Sequence, residues 1–150
     1  MFLGQFRHQL DAKGRVAVPA QFRRGLGEGS VIVFGPERRL VIYPHAEWQE
    51  MAQSHRLTAA TPAEARSYMR RLFANAREVE LDAQGRILLT PEQRSFAGID
   101  DRAVFVGTGS LVEVVGEALW DQETAQLSPD DFTALHDAVH RADHAPQETA

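Results

Sequence analysis

One short segment occurs twice in the chain, and this duplication constrains the fold more than any other feature of the sequence. Residues Leu10–Val16 recur as Leu81–Ile87, 71 positions later, with five of the seven residues identical. An apolar trio, a proline, a valine-rich run and a second apolar run follow each copy in the same order. The chain is therefore predicted to contain two copies of one structural unit.

Each copy of the segment is typical of a tight turn followed by a strand. In an Asp-x-x-Gly sequence, the aspartate side chain bonds back to the backbone and the glycine adopts a positive φ. An arginine follows the glycine directly in both copies, which places it at the start of the outgoing strand. The residues concerned are Asp11, Gly14 and Arg15 in the first copy and Asp82, Gly85 and Arg86 in the second.

Apolar runs within the copies and helical periodicity outside them divide the chain into four parts. Residues 5–47 are predicted to form the first unit and residues 76–119 the second. Residues 48–75 form a helical connector, and residues 120–150 form an acidic tail that is partly helical and partly disordered. The expected fold class is mostly β with short helices, that is, α+β.

Helix starts in the second unit and in the connector are predicted from capping signals. Thr90 and Gln93 have the spacing of a capping box at the start of a short helix in the second unit. Thr61 stands three residues before Glu64 and is predicted to cap the connector helix in the same manner.

The net charge of −5 is unevenly distributed, which matters for a nucleic-acid partner. Residues 1–75 carry eleven basic and six acidic side chains, a net charge of +5. Residues 76–150 carry five basic and fifteen acidic side chains, a net charge of −10. A mainly basic first half therefore precedes a mainly acidic second half.

Composition and motifs indicate no enzyme. The chain has no cysteine, which excludes disulfides, cysteine-ligated metals and thiol catalysis. Its glycine-rich stretches lack the Lys-Ser/Thr ending of a phosphate-binding loop, and no Gly-x-Ser-x-Gly elbow or paired carboxylates stand out. We expect no catalytic residue, cofactor or small-molecule substrate. Without a signal-peptide pattern or an apolar run of about 20 residues, we also expect a cytoplasmic protein that makes no membrane contact.

Three histidines near the end of the chain have helical spacing. His136, His140 and His144 recur every four residues, so a helix would place them on one face, and such spacing can bind a metal. The segment is short and acidic, and no further ligand motif accompanies it. Solvated histidines are therefore favoured, and no metal site is predicted.

Five short stretches resemble the sequence of one known family. They are Met1–Gly4, Asp11–Arg15, Pro19–Arg23, Arg71–Phe73 and Asp82–Arg86. The family is MraZ, bacterial transcriptional regulators built from two SpoVT-AbrB units, and the resemblance covers residues 1–125. It implies a swapped-hairpin β-barrel in which the two units form an internal pseudo-dimer.

The same resemblance implies a function. It is that of a transcriptional repressor, which assembles into a ring and binds short G-rich repeats in promoter DNA. The regulated genes are then the division and cell-wall gene cluster, including the regulator's own promoter. The expected partners are promoter DNA and further copies of this chain, and the expected location is the cytoplasm and nucleoid.

Arginine is the expected base-reading residue, because a guanidinium binds guanine O6 and N7 bidentately in the major groove, which also admits a β-ribbon. Arg15 is the main candidate, and Arg86 is expected to contribute less because its surroundings are acidic. Lys13 is expected to contact phosphate, while Asp11 and Asp82 shape the turns or orient the arginines. The remaining candidates are Arg7, Arg23 and Arg24, with Gly14 and Gly85 as turn residues.

Two other functions stay open at this point. An AbrB-type antitoxin would use the acidic tail to neutralise a toxin, although a single dimerising unit would then be expected instead of a tandem duplication. A structural ring protein that binds no DNA would suit the acidic net charge.

Overall fold

The computed structural model describes residues 1–143, and within them it contains eight strands and six α-helices. The strands are β1 (Gln5–Gln9), β2 (Arg15–Ala17), β3 (Val31–Phe34), β4 (Leu40–Tyr43), β5 (Arg77–Glu78), β6 (Arg86–Leu88), β7 (Arg102–Gly107) and β8 (Val112–Gly116). The helices are α1 (Ala20–Arg23), α2 (His45–Ser54), α3 (Ala63–Ala74), α4 (Pro91–Phe96), α5 (Glu117–Ala125) and α6 (Pro129–Asp143). The predicted α+β class is confirmed.

The chain divides into two compact parts, which differ from the two repeated units of the sequence. Residues Met1–Glu117 form the first, which holds all eight of these strands, and residues Ala118–Ala150 form the second. Both copies of the repeated segment therefore lie within one compact part.

Strands of the two copies pair with each other more than with strands of their own copy. The larger sheet is antiparallel and has the order β1-β7-β8-β4-β3-β5. In it, β1 of the first copy pairs with β7 of the second, and β5 of the second copy pairs with β3 of the first. Strands β4 and β8 join the two halves. The copies are thus interleaved, as a swapped pseudo-dimer requires.

The strands of residues 1–143 do not close into a single barrel, and in this respect the expectation needs correction. The larger sheet ends at β1 on one side and at β5 on the other. Strands β2 and β6 form a separate two-stranded ribbon. The ribbon strands have three residues each and β5 has two, so the ladders are too short to continue around a closed barrel.

The ribbon has one buried face and one outward face, and this difference positions the candidate site. Successive strand residues point to opposite faces. Val16 is fully buried and Ile87 is 4% exposed, and these two residues lie directly opposite each other. Arg15 and Arg86, next to them in sequence, therefore point away from the core.

Of the caps predicted for α3 and α4, the one of α4 is present. The Thr90 hydroxyl accepts the Gln93 N–H at 3.1 Å, and Gln93 Oε1 accepts the Thr90 N–H at 2.8 Å, which completes the capping box of α4. The prediction for Thr61 is wrong, because Pro62 is the N-cap of α3 and no side chain caps that helix. The Thr61 hydroxyl instead accepts the Thr58 N–H at 2.9 Å.

The histidines of the last helix are placed only in part. The rings of His136 and His140 stack on α6 with centroids 4.0 Å apart, and both side chains are exposed. His144 lies outside the described residues, and so does Ala145–Ala150, for which the sequence predicts disorder. Over residues 1–143, no group of three or more His, Asp or Glu side chains is arranged to hold a metal ion. In the same residues, no helix is long and apolar enough to cross a membrane.

Candidate nucleic-acid interface

The first Asp-x-x-Gly-Arg turn is organised by the Asp11 carboxylate. Its Oδ1 accepts the backbone N–H groups of Lys13 and Arg15, both at 2.9 Å, and its Oδ2 accepts Arg15 Nε at 2.6 Å. Gly14 has a φ of +83° and donates its N–H to the Asp11 carbonyl at 3.1 Å. Asp11 therefore both closes the turn and orients the Arg15 guanidinium.

The second turn repeats this geometry with one difference. Asp82 accepts the backbone N–H groups of Gln84 and Arg86 and the Arg86 Nε, each at 2.9 Å, and Gly85 has a φ of +74°. Gln84 stands where the first copy has Lys13, and its Oε1 accepts Arg86 Nη2 at 2.7 Å. The second turn thus lacks the exposed cation of the first, and its arginine has an additional partner.

Both turn carboxylates are stabilised in the ionised form. The backbone N–H of Arg15 makes the largest contribution to lowering the pKa of Asp11, and the Arg15 guanidinium lowers it further. The backbone N–H and guanidinium of Arg86 lower the pKa of Asp82 in the same way. Hydrogen bonds donated to a carboxylate favour its charged form, so both turns keep their bonds at neutral pH.

The two turns are adjacent because β2 and β6, the strands that leave them, pair with each other. Across the ribbon, Arg86 Nη1 lies 3.5 Å from Asp11 Oδ2, so Asp11 faces the arginines of both copies. The side chains of Arg15 and Arg86 are 35% and 27% exposed and can be reached from solvent. The structure therefore brings both arginines into one surface patch.

Arg23 of the first copy lies against the turn of the second copy. Its Nε donates to the Val18 carbonyl at 2.8 Å. A Cβ placed on Gly85 would lie 2.5 Å from Arg23 Cζ and Nε, so the guanidinium occupies the space beside the bare glycine. Arg23 thus belongs to the same patch, whereas its neighbour Arg24 is the exposed C-cap residue of α1.

Arg7 is placed differently from the other candidates. It lies on β1 in the larger sheet, where its Nη1 is 3.3 Å from Glu117 Oε2. The same carboxylate oxygen accepts Arg102 Nε at 2.9 Å. Bonds from Arg102 and then Arg7 lower the pKa of Glu117. Arg7 therefore takes part in an ion-pair cluster outside the two turns.

Arg94 is the residue at this patch that the sequence analysis missed. It lies on α4, and a Cβ placed on Gly14 would lie 3.3 Å from its Cζ and Nε. Arg94 thus packs against the first turn as Arg23 packs against the second. The two arginines are 71 positions apart, the offset of the repeated segment, so applying that offset to Arg23 identifies Arg94.

Known proteins match the chain over most of its length. The sequence model of a family described as "MraZ protein, putative antitoxin-like" matches residues 1–69 and 72–141. The "Transcriptional regulator MraZ" of Desulforamulus reducens is 42% identical over 126 residues, covering 84% of this chain and 89% of that protein. The proteins of the same name in Desulfitobacterium hafniense and Thermomicrobium roseum are 43% identical over 126 residues and 41% identical over 128. They cover 84% and 85% of this chain, and 88% and 90% of their own lengths.

Among solved structures, the solution structure of PHS018 from Pyrococcus horikoshii covers 76% of this chain and 88% of that chain. Its TM-score of 0.31 and sequence identity of 16% are too low to identify a shared fold. The relatives' name describes a non-enzymatic role, which confirms the expectation that the chain is not an enzyme. With two family matches in tandem and relatives that align over most of both chains, the chain belongs to the MraZ family of transcriptional regulators.

Proposed function

We propose that the chain is a transcriptional repressor that recognises DNA through its two Asp-x-x-Gly-Arg turns. The observation that carries this proposal is the paired geometry of the turns. Two guanidinium groups, each bonded to the aspartate of its own turn, lie on the outward face of one two-stranded ribbon. A ribbon of two strands fits the major groove, where arginine is the common reader of guanine.

Arg15 is the better placed of the two arginines for reading a base. Within residues 1–143, its hydrogen-bonding partner is Asp11, bound through Nε, so its Nη1 and Nη2 groups stay available for guanine O6 and N7. Arg86 uses all three of its nitrogens, on Asp82, Gln84 and Asp11. Arg86 would have to exchange internal bonds for bonds to DNA, so its net contribution is smaller.

Charge supports the same order of importance. The first turn carries Lys13 beside Arg15, and residues 1–75 have a net charge of +5. The second turn carries Gln84, and residues 76–150 have a net charge of −10. Phosphate attraction provides most of the sequence-independent affinity of DNA-binding proteins, so the first turn docks more strongly.

Family membership supports the remaining parts of the proposal. The operator consists of short G-rich repeats upstream of the division and cell-wall gene cluster, including the chain's own promoter, and the protein acts in the cytoplasm and nucleoid. Each chain already satisfies its own pseudo-twofold pairing, so further association joins unlike surfaces, which generates a closed ring or a filament, and family membership favours the ring. The basic and acidic halves provide complementary sides for such contacts.

A salt-titrated affinity series on tandem G-rich repeats and scrambled DNA tests the recognition step. Arg15→Ala should reduce the binding free energy for the repeats by at least the roughly 1–3 kcal/mol of one bidentate guanine contact. The loss is multiplied where several subunits bind neighbouring repeats. Arg86→Ala should reduce the same binding free energy markedly less. Lys13→Ala should weaken binding to all sequences alike and reduce the salt dependence. Arg56→Ala, which removes an exposed arginine from the segment between α2 and α3, controls for the loss of one positive charge.

Two results would contradict this proposal. Equal affinity for G-rich and scrambled DNA would show that the chain does not recognise this sequence. Equal losses for Arg15→Ala and Arg86→Ala, in folded and assembled protein, would refute the unequal roles of the two turns.

Light scattering at low salt tests the assembly. We expect a species of many times the mass of one chain, because opposite charges on unlike surfaces attract most strongly at low ionic strength. A monomer at micromolar concentration would refute the ring.

A further inference from the structure

The two turns are each supported from behind by the opposite copy. The Gly14 carbonyl accepts the Leu89 N–H at 2.9 Å, and the Gly85 carbonyl accepts the Val18 N–H at 2.9 Å. Leu89 belongs to the second copy and Val18 to the first. Each turn glycine is therefore attached, through its carbonyl, to the strand end that precedes the other copy's helix.

An arginine from that helix completes the support. On the first turn, a Cβ at Gly14 would lie 3.3 Å from Arg94 Cζ and Nε. On the second turn, a Cβ at Gly85 would lie 2.5 Å from the same atoms of Arg23. The guanidinium end of an arginine thus lies beside each turn glycine, closer than a side chain at that position would allow without a shift.

Helix α4 holds Arg94 at a defined place. The Arg94 N–H donates to the Thr90 carbonyl at 2.9 Å, and Thr90 is itself fixed by the capping box. The Arg94 carbonyl accepts the Ile99 N–H at 2.8 Å. Because both main-chain groups of Arg94 are hydrogen-bonded, the backbone from which its side chain extends towards the first turn is held in place.

Among residues 1–143, the side chain of Arg94 has no hydrogen bond that explains this position. Its Nε is buried and has no partner among residues 1–143, whereas Arg23 Nε donates to the Val18 carbonyl. Among the described residues, the guanidinium is therefore placed by its packing beside Gly14 and not by a hydrogen bond through Nε.

We propose that Arg94 is a positioning residue, which holds the first turn in the conformation in which the Arg15 guanidinium faces DNA. Arg23 holds the second turn in the corresponding conformation for Arg86. Each DNA-reading arginine is then positioned by an arginine of the other copy. The effect on DNA affinity rests on the proposed function, but the support of the turn itself can be measured without DNA.

Amide hydrogen exchange in the free protein tests the support. Arg94→Lys keeps the charge and loses the planar group, while Arg94→Met loses both. Both variants should speed exchange at Gly14 and Arg15 several-fold, because these N–H groups donate to Asp11 within the turn. Exchange at the second turn should stay unchanged.

Arg23→Met is the matched control. It should speed exchange at Gly85 and Arg86 and leave the first turn as it was. If Arg94→Met does not fold, Arg94→Lys alone decides the question. Unchanged exchange at Gly14 and Arg15 in a folded Arg94 variant would overturn the proposal.

Double-mutant cycles on G-rich DNA then test the consequence for binding. Arg94→Lys should lower affinity for the repeats with an unchanged salt slope. Its effect should largely disappear in an Arg15→Ala background and persist in an Arg86→Ala background, because residues that act together are not additive.

Other binding results point elsewhere. Wild-type affinity in Arg94→Lys, with weaker binding to all sequences in Arg94→Met, would make Arg94 a phosphate contact and overturn the positioning role. Full DNA binding by both Arg15→Ala and Arg86→Ala would refute the proposed function, and hydrogen exchange would then decide the support of the turn by itself.

Discussion

Replacing the two turn glycines by alanine separates backbone strain from loss of space. Gly14 and Gly85 have φ values of +83° and +74°, a region that costs an L-residue about 1–2 kcal/mol. In Gly85→Ala, the new methyl would lie 2.5 Å from Arg23 Cζ, so the guanidinium must shift, and we expect its bond to the Val18 carbonyl to be lost. In Gly14→Ala, the methyl would lie 3.0 Å from the Leu89 carbonyl oxygen, which must shift by a few tenths of an ångström.

These contacts set an order of destabilisation. A net hydrogen-bond contribution of about 0.5–1.5 kcal/mol, added to the backbone cost of about 1–2 kcal/mol, gives about 1.5–3.5 kcal/mol for Gly85→Ala. Gly109→Ala shares the positive φ, at +90°, but its methyl meets open space, so about 1–2 kcal/mol is expected. Gly27→Ala has open space and a φ outside the left-handed region, so its stability should stay within about 0.5 kcal/mol of the parent chain.

Urea denaturation at one fixed protein concentration measures the four free energies of unfolding, because assembly makes stability depend on concentration. Gly27→Ala should be the least destabilised variant and Gly109→Ala the next. The two turn variants should be the most destabilised. Equal losses for Gly109→Ala and Gly85→Ala would show that the Arg23 contact contributes nothing. A turn variant as stable as Gly27→Ala would refute the strain assigned to the turns.

Two further predictions concern the turn carboxylate and the end of the chain. Asp11 has a lowered pKa in the folded chain, so its contribution is present above the ordinary aspartate pKa and is lost as pH falls through the lower folded value. The Arg15 amide proton shift should therefore titrate with a midpoint below about 3.9, and a midpoint above it would contradict the bonding described. A chain ending at Leu127 should fold, since Met1–Glu117 is compact by itself, and should bind DNA at least as tightly, because the removed residues carry five acidic side chains and one basic. Thermal melting and salt-titrated affinity measure these two effects, and loss of binding would place the removed segment in the site or in the assembly contact.

The local geometry of the turns was predictable from the sequence. Asp11 and Gly14 form their bonds within a few residues, so residue type and spacing determine the turn. The same holds for Thr90 and Gln93, whose two bonds join neighbours on the first turn of α4. Thr61 shows the limit of such patterns. Its hydroxyl could accept a hydrogen bond from the first turn of α3 or from the Thr58 N–H, and it accepts the latter.

The contacts between copies were beyond local pattern. The apolar trio after each arginine shows neither that Leu88 is exposed while Ile87 is buried, nor that β6 is the partner of β2, because both depend on the whole interleaved sheet. Arg7 illustrates the same point, since its ion pair with Glu117 joins opposite ends of the sequence of the first compact part. Arg94 could be recognised only after the repeat offset was applied to Arg23 as well as to the turn motif.

The interleaving of the two copies has a genetic consequence. In a dimer of identical chains, one codon change alters both turns at once, and neither turn can change alone. In this chain the two turns have separate codons, so Lys13 and Gln84 can differ while the Asp-x-x-Gly-Arg frame stays the same. Yet the halves are not independent, because a change at Arg23 or Arg94 in one copy acts on the turn of the other. Because both copies lie on one chain, the DNA affinities of the two turns can diverge. The contacts of Arg23 and Arg94 with the turn of the opposite copy limit how far either copy can change alone.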